Sequence, residues 1–235
     1  FKIIYSQSDK ILVTSRDFRI EMKKYFNLNS QIHTQSLDLE GIKIKSKKKI
    51  NFKFFKDYKG LKIINVGRLT YQKDIITLLR SFLELIKVRK ARLLLIGNGT
   101  EEENIKLFVK KNKLLKHVRI LSFQDNPYKY ISLADVKVLS SRFEGNPNIL
   151  LEIACLKKLI ISSNCKVGPS EILQKGKGGI LFNVGDSVSL FKILKKLNLK
   201  DSALKEKINI SYRYVKNNFE KDISKKFIEI IKDIK

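Results

Sequence analysis

Six short runs of apolar residues recur between residues 61 and 186, separated from one another by polar sequence. Runs of this length and composition predict strands that are buried on both faces of a sheet. The predicted strands are 62–66, 92–96, 118–121, 136–139, 158–162 and 179–182. Helical patterns lie between several of them, most clearly over 74–87, where Ile75, Leu78, Leu79, Phe82 and Ile86 share one face. The alternation predicts an α/β fold built on a doubly wound parallel sheet.

The segments on either side follow different patterns. Residues 1–42 offer one strand at 10–14 and one helix at 16–26, too little for a domain, and we interpret them as a remnant of another one. Residues 43–60 carry a lysine run and few buriable patterns, which favours a linker. Residues 187–235 predict two or three amphipathic helices. The last of these places Phe219, Ile223, Phe227, Ile230 and Ile234 on one face.

The candidate chemistry lies in the loops that follow the strands, since parallel sheets bind ligands beyond the carboxyl ends of their strands. The polar or glycine-rich loops are 67–73, 97–100, 140–146 and 164–170. In the third loop, Asn146 is a favoured N-cap and Pro147 suits the first helical position, so a helix is predicted to begin there. Its free N–H groups and positive dipole end would face the ligand. Glu144 precedes this helix start, and Glu152 lies on the helix.

The segment 134–154 resembles the family 4 retaining glycosyltransferases, whose signature is a pair of Glu residues separated by seven others. Glu144 and Glu152 match that pair, and Gly145, Pro147 and Asn148 match residues between them. Further similarity, in the same order, lies at 66–74, 93–106, 123–136 and 168–186. The resemblance implies a GT-B fold in which residues 61–186 form the Rossmann-like nucleotide-sugar-binding domain. It also implies that 1–42 belong to the N-terminal acceptor-binding half, most of which is absent from this sequence.

The resemblance also implies roles for individual residues. Arg68 and Lys73 would clamp the diphosphate, a leaving group that gains negative charge as the glycosidic bond breaks. Glu152 would accept hydrogen bonds from the ribose, and Glu144 would contact the transferred sugar. The loop 122–126 would line the base. The other binding candidates are Gly67, Gly97, Asn98, Gly145, Asn146, Pro147 and Asn148.

The family uses no metal or other cofactor, because Arg, Lys and the helix dipole take the place of a cation. The implied reaction moves a hexose or N-acetylhexosamine, with retention, from a nucleoside diphosphate sugar, here expected to be a UDP-sugar. The acceptor would be a bacterial surface glycan, such as lipopolysaccharide or capsule, or a lipid-linked oligosaccharide. The enzyme would be cytoplasmic, at the inner face of the plasma membrane. Because the site lies between two halves, turnover is expected to need the missing half or a partner chain.

Three positions depart from the family pattern. Asp74 replaces the Gly that usually follows the Lys, and Asn146 replaces an apolar residue that often follows the Gly. Gln35 and Ser36 stand where Asn and Pro are common. Asp74 is expected to stabilise its helix while slightly lowering the local positive field, and the change at Gln35 and Ser36 to weaken the interdomain turn and not the donor site.

The net charge of +26 is spread along the chain. It reflects either a composition bias or attraction to anionic lipid headgroups or a phosphorylated acceptor. No compact basic stripe is interleaved with aromatics, so a nucleic-acid partner is not expected. The alternatives that stay open are a basic non-catalytic module, either a subunit of a split enzyme or a nucleic-acid-binding domain. A dehydrogenase is excluded, because Glu102 stands where the third Gly of its fingerprint is required after Gly97 and Gly99.

Cysteine and hydropathy patterns add two expectations. Cys155 and Cys165 are too few for a disulfide framework or a zinc site and are expected to be small buried thiols in a reducing cytosol. No apolar run is long enough to span a membrane.

Overall fold

A computed structural model describes residue 5 and residues 7–33, 36–219 and 223–232. Its centre is a sheet of six parallel strands in the order β5-β4-β3-β6-β7-β8. A separate pair of parallel strands, β1 and β2, lies near the start of the chain. The strands are β1 (Leu12–Val13), β2 (Gln31–Ile32), β3 (Leu61–Val66), β4 (Ala91–Ile96), β5 (Val118–Leu121), β6 (Val136–Leu139), β7 (Leu159–Ser163) and β8 (Ile180–Phe182). The predicted α/β class is confirmed, and each strand of the large sheet lies within one residue of its predicted bounds.

Helices cover both faces of this sheet. They are α1 (Arg16–Phe26), α2 (Leu39–Ser46), α3 (Ile75–Val88), α4 (Glu102–Lys111), α5 (Tyr128–Leu133), α6 (Asn148–Cys155), α7 (Pro169–Ile172), α8 (Ser187–Lys196), α9 (Ser202–Phe219) and α10 (Ile223–Lys232). A short 3-10 helix, Tyr71–Lys73, precedes α3. Among the described residues, no helix is long and apolar enough to cross a membrane.

The two faces of the sheet bury two separate hydrophobic cores. Successive side chains of a strand point to opposite faces, so Ile63 packs in one core and its neighbour Ile64 in the other. The first core includes Phe82 of α3, and the second includes Leu151 of α6. Because both faces are covered, the strands need apolar residues at nearly every position, which explains their unbroken hydrophobic runs.

Residues 43–60 differ from the predicted linker. Helix α2 runs across the expected boundary to Ser46, and Phe55 is buried in the second core. The ring of Phe52 lies edge-on to those of Phe55 and Tyr130, at centroid distances of 5.5 and 5.2 Å. Aromatic side chains at 52, 54 and 55 therefore fix this segment to the domain, whereas the sequence prediction gave more weight to its lysines.

The described part of residues 187–235 contains three helices, and the prediction was two or three. The expected stripe is divided between two of them, since Phe219 is the last residue of α9 and Ile223 the first of α10. Phe219 and Ile230 are buried, whereas Phe227 is exposed. Ile234 lies outside the described residues, as does Gln35. The stripe therefore contributes to packing at two separate places.

The strand order reverses between β3 and β6. The chain runs from β3 through β4 to β5 on one side, returns to β6 beside β3, and continues through β7 to β8 on the other side. The loops that leave β3 and β6 therefore diverge and open a crevice at the carboxyl edge, where ligands of such sheets bind.

Asp74, at the start of α3, has a left-handed backbone with φ 44° and ψ 51°. Glycine adopts that conformation without strain, which explains the Gly found here in similar sequences. Asp74 stabilises it through its side chain, which accepts from the Thr77 hydroxyl at 2.8 Å and from the Thr77 N–H at 3.4 Å. Arg142, from the loop after β6, lies 3.2 Å from the same carboxylate. The acidic residue thus caps α3 and connects the loops after β3 and β6.

We expect Asp74→Ala to lower the free energy of unfolding by about 2 kcal/mol, because it removes the cap and keeps the left-handed strain. Asp74→Gly also loses the cap but relieves the strain, so its loss should be smaller. Urea unfolding of the two variants measures the difference. An alanine variant as stable as the glycine variant would contradict this account.

Candidate functional site at the strand reversal

A cavity of about 570 Å³ occupies the crevice between β3 and β6. Its wall comes from the end of β3, the 3-10 helix, the loop before α5, the loop after β6 and the first two turns of α6. The lining residues are Val66, Gly67, Arg68, Gln72, Lys73, Phe123, Gln124, Asp125, Pro127, Tyr128, Glu144, Gly145, Asn146, Pro147, Asn148, Ile149 and Glu152. Nine of the eleven residues proposed from the sequence are in this set, all but Gly97 and Asn98.

An ion pair crosses the crevice. The Lys73 ammonium lies 2.6 Å from the Glu144 carboxylate, and their side chains are 14% and 5% exposed. Glu144 also accepts a hydrogen bond from the Ser141 hydroxyl at 2.5 Å. Sequence reasoning selected both members of the pair but missed Ser141, which holds the carboxylate in place. The pair joins the loop after β3 to the loop after β6.

Gln72 makes a second connection between these loops. Its side-chain N–H donates to the Phe143 backbone carbonyl at 2.9 Å. Its backbone carbonyl accepts from the backbone N–H of Arg142 at 2.8 Å. Its side-chain oxygen accepts from the Arg68 guanidinium at 3.1 Å. Arg68 is exposed at the mouth of the cavity, with its fork held there by Gln72. The sequence reasoning did not single out Gln72, because a glutamine beside Lys73 carries no specific signal.

The helix after Glu144 begins later than predicted. Pro147, with φ −76° and ψ 80°, is the N-cap, and α6 starts at Asn148. Asn146 is therefore one position too early to cap the helix, and no side chain caps it. In the part of the chain that the structure describes, the buried side-chain N–H₂ of Asn146 has no hydrogen-bond partner. The Asn146 side chain therefore places a polar hydrogen-bond donor in the wall of the cavity, at the positive end of α6.

Glu152 is largely buried on α6, where it faces Tyr128. Burial raises the pKa of its carboxyl, while the Tyr128 hydrogen bond and the charge of Lys137 pull that pKa down. Burial, with the negative charge of Glu152, raises the pKa of Tyr128 to about 12. Tyr128 therefore stays protonated and donates its hydrogen bond to the carboxylate. Glu152 keeps capacity to accept hydrogen bonds from a ligand.

Lys137 is a charged residue that the sequence reasoning missed. It lies in the middle of β6 with no solvent exposure, and its ammonium donates to the Val66 carbonyl at 3.1 Å. Burial places the pKa of its ammonium well below the ordinary value; Lys73 lowers that pKa further, and Glu144 and Glu152 raise it. The available signal was a lysine inside an otherwise apolar strand.

Gly97 and Asn98 are not among the residues that line the cavity. Gly97 has φ 143°, and a Cβ atom there would overlap the Gly67 carbonyl oxygen. The Asn98 side chain accepts from the Phe123 N–H at 2.7 Å. Gly97 permits close approach of two loops, and Asn98 holds the loop before α5; their contact with a ligand stays a prediction. From that loop, expected to line a base, Phe123, Gln124 and Asp125 do line the cavity.

Both cysteines are buried thiols that form no disulfide. Burial, together with the nearby charge of Glu144, raises the pKa of the Cys165 thiol to about 11. Cys165 is therefore a weak nucleophile at neutral pH. Within the described residues, no cluster of three or more His, Cys, Asp or Glu side chains is placed to hold a metal ion. Metal independence itself stays a prediction.

The crevice and the ion pair that joins its two loops place the candidate site at the strand reversal of an α/β protein. Residues 46–230 match the family Glycosyl transferases group 1. The match spans well over half of the chain, and the chain belongs to that family.

Two curated relatives match most of this chain. An uncharacterised glycosyltransferase of Methanocaldococcus jannaschii is 30% identical over 180 residues, which are 74% of this chain and 44% of that protein. A Campylobacter jejuni protein is 27% identical over 207 residues, 87% of this chain and 54% of that protein. It is named N-acetylgalactosamine-N,N'-diacetylbacillosaminyl-diphospho-undecaprenol 4-alpha-N-acetylgalactosaminyltransferase. The chain thus spans about half the length of the curated relatives it matches.

Solved structures share the fold at low sequence identity. A glycosyltransferase from Rickettsia africae superposes with a TM-score of 0.84 at 17% identity, over 100% of this chain and 66% of that one. Anabaena HepE in complex with UDP and glucose superposes with a TM-score of 0.80 at 14% identity, over 96% and 64%. The parallel sheet is therefore the one found in solved GT-B glycosyltransferases.

We expect Glu152→Gln to stabilise the empty protein at neutral pH. Because the pKa of Glu152 is raised on folding, the native state binds more protons, and its stability falls as pH rises through that pKa. Each unit of the shift corresponds to about 1.4 kcal/mol. The amide still accepts from Tyr128, so the higher melting temperature should disappear below the ordinary pKa of 4.5. A wild type as stable as the variant throughout would contradict this burial argument.

Proposed function

We propose that this chain carries the donor site of a retaining glycosyltransferase that uses a UDP-sugar and transfers a hexose or N-acetylhexosamine. The observation that carries the proposal is one cavity into which Arg68, Lys73, Glu152 and the start of α6 converge. Two cations and a positive helix end suit a diphosphate, and a buried carboxylate suits a neutral ribose diol. Residues 61–186 would form the domain that binds the nucleotide sugar.

The geometry suggests how each group acts. As the glycosidic bond breaks, negative charge develops on the departing diphosphate, and the Arg68 guanidinium and Lys73 ammonium would stabilise it. Lys73 uses one N–H on Glu144 and keeps others for phosphate oxygens. These fixed cations would replace a metal ion. The family resemblance implies that the acceptor attacks from the leaving-group side, which retains the anomeric configuration.

Relatives and neighbours support this reading. Two of the similar solved structures hold UDP together with a sugar, HepE with glucose and a pneumococcal O-GlcNAc transferase with GlcNAc. Relatives are named for an undecaprenol-linked acceptor, lipopolysaccharide core and amylovoran. A lipid-linked oligosaccharide or a bacterial surface glycan is accordingly the acceptor class we propose. Supply of the acceptor half by a partner chain or by further sequence is part of the proposal.

Calorimetry with a panel of nucleoside diphosphates tests the donor site. UDP should bind the wild type, and Glu152→Ala should weaken that binding by about tenfold or more, because the ribose loses a charged acceptor. Glu103→Ala is the matched control, since Glu103 is exposed on α4. Failure of every nucleotide to bind, or affinity unchanged in Glu152→Ala, would sink the assignment. Salt-dependent DNA binding with no effect of UDP would favour the nucleic-acid alternative.

Removal of metal tests the proposed role of the cations. EDTA should leave UDP affinity unchanged, whereas Arg68→Ala should weaken it. Arg80→Ala, at an exposed position on α3, serves as the control. A strict requirement for a divalent ion would contradict the proposal that Arg68 and Lys73 do its work.

A basic groove supports the proposal that the protein docks on the cytoplasmic face of an anionic membrane. Its volume is about 560 Å³, and among the described residues no acidic side chain lines it. The cations in its wall are Lys47, Lys48, Lys49, Lys56 and Lys129. Each lysine near an anionic surface contributes about 1 kcal/mol.

Replacement of Lys47, Lys48 and Lys49 by Gln should reduce sedimentation with phosphatidylglycerol-containing vesicles and leave UDP binding intact. Vesicles of phosphatidylcholine alone should bind neither protein. Equal binding of the wild type and the triple variant to anionic vesicles would contradict docking through this groove.

A further inference from the structure

We propose that Lys137 is a positioning residue of the nucleotide-sugar site, where its buried ammonium supplies a positive charge beneath the bound nucleotide. The inference deepens the proposed function and rests on it. It concerns a lysine that does not reach the cavity surface and that the family signature does not include.

The place of Lys137 in the sheet sets the direction of its side chain. Its Cα pairs with that of Ile64 in β3, yet its ammonium reaches the carbonyl of Val66, at 3.1 Å. Val66 is the last residue of β3 and lines the cavity. The side chain therefore runs from the centre of the sheet towards the carboxyl edge and ends below the cavity floor.

Charged groups from three elements act on this ammonium. Lys73 comes from the 3-10 helix, Glu144 from the loop after β6, and Glu152 from α6. The neighbouring positions on β3 and β7, Ile64 and Ile160, are apolar, and Tyr128 of α5 faces Glu152. Two carboxylates therefore favour the positive charge of Lys137, and one cation disfavours it.

The two carboxylates are not equivalent. Glu144 is already paired with Lys73 at 2.6 Å. Over the described ranges, Glu152 has no cation within ion-pair distance, and Lys137 is the cation that lowers its pKa. A buried carboxylate without a nearby positive charge takes up a proton instead. Lys137 thus favours the ionised Glu152 that is needed to accept two ribose hydrogen bonds.

Nucleotide binding changes this balance. A diphosphate in the cavity adds negative charge above Lys137, which favours the protonated ammonium. Burial disfavours that form in the empty protein, so the pKa of the Lys137 ammonium should rise when UDP binds. Binding must then draw a proton from solvent onto Lys137, and affinity must fall as pH rises. A purely structural lysine would show no such linkage.

Calorimetry of UDP binding in two buffers with different ionisation enthalpies measures this proton. Measured over a range of pH, the wild type should take up a fraction of a proton between the pKa of Lys137 in the empty protein and its pKa in the complex. Lys137→Met, similar in length and apolar, should take up none and bind UDP roughly tenfold more weakly, as for a one-unit change in pKa. Lys158→Met is the matched control, because the pKa of Lys158 is also lowered by burial. Its ammonium donates to the carbonyls of Ser132 and Ala134, before β6 at the opposite edge of the sheet.

UDP binding by the wild type without proton uptake, or with uptake that persists in Lys137→Met, would overturn the inference and leave the proposed function intact. Absence of UDP binding would instead overturn the proposed function. In that case an NMR titration of the Lys137 side chain in the empty protein decides whether it is linked to Glu152. Its pKa should fall further in Glu152→Gln, and an unchanged pKa would refute the link.

Discussion

The site depends on the reversal of strand order between β3 and β6. The loops after these neighbouring strands run in opposite directions, so a gap opens between them. Short side chains cannot fill this gap, and polar groups must bridge it. Here the bridges are the buried Lys73–Glu144 pair, the hydrogen bonds of Gln72 and the contact of Arg142 with Asp74. The same side chains that hold the crevice in shape present its charge to a ligand.

Charged side chains are therefore concentrated in this crevice. The cavity wall includes Arg68 and Lys73 against Asp125, Glu144 and Glu152, with Lys137 buried beneath. Several of these groups compensate one another at close range, so the empty site is near balance despite the strongly basic chain. An anionic ligand would replace part of that internal compensation, which makes binding and protonation interdependent.

The regular parts of this fold are readable from sequence because each follows from one local rule. Apolar runs gave the strands to within one residue, since strands covered on both faces need apolar side chains throughout. The sequence predictions were wrong where tertiary contacts decide the local structure. Pro147 shifted the start of α6 past Asn146, and Phe55 anchored a lysine-rich segment expected to be a linker. Lys137 escaped notice because a single charge does not change the pattern of a buried strand.

Family resemblance located the cavity residues well, yet it could not distinguish residues that line the cavity from those that support it. Gly97 and Asn98 have conspicuous positions after β4, but one permits a close approach of loops and the other holds Phe123. Ser141 and Gln72 fix Glu144 and Arg68 through ordinary polar side chains that carry no motif. Such supporting contacts depend on which residues are close in the folded chain, and no characteristic spacing in the sequence reveals them.

A crystal structure of this chain with UDP tests the central claim most directly. The account predicts the diphosphate between Arg68, Lys73 and the start of α6, with the ribose hydroxyls on Glu152. UDP bound in the lysine-lined groove beside α5, or bound in the crevice with its ribose away from Glu152, would contradict it.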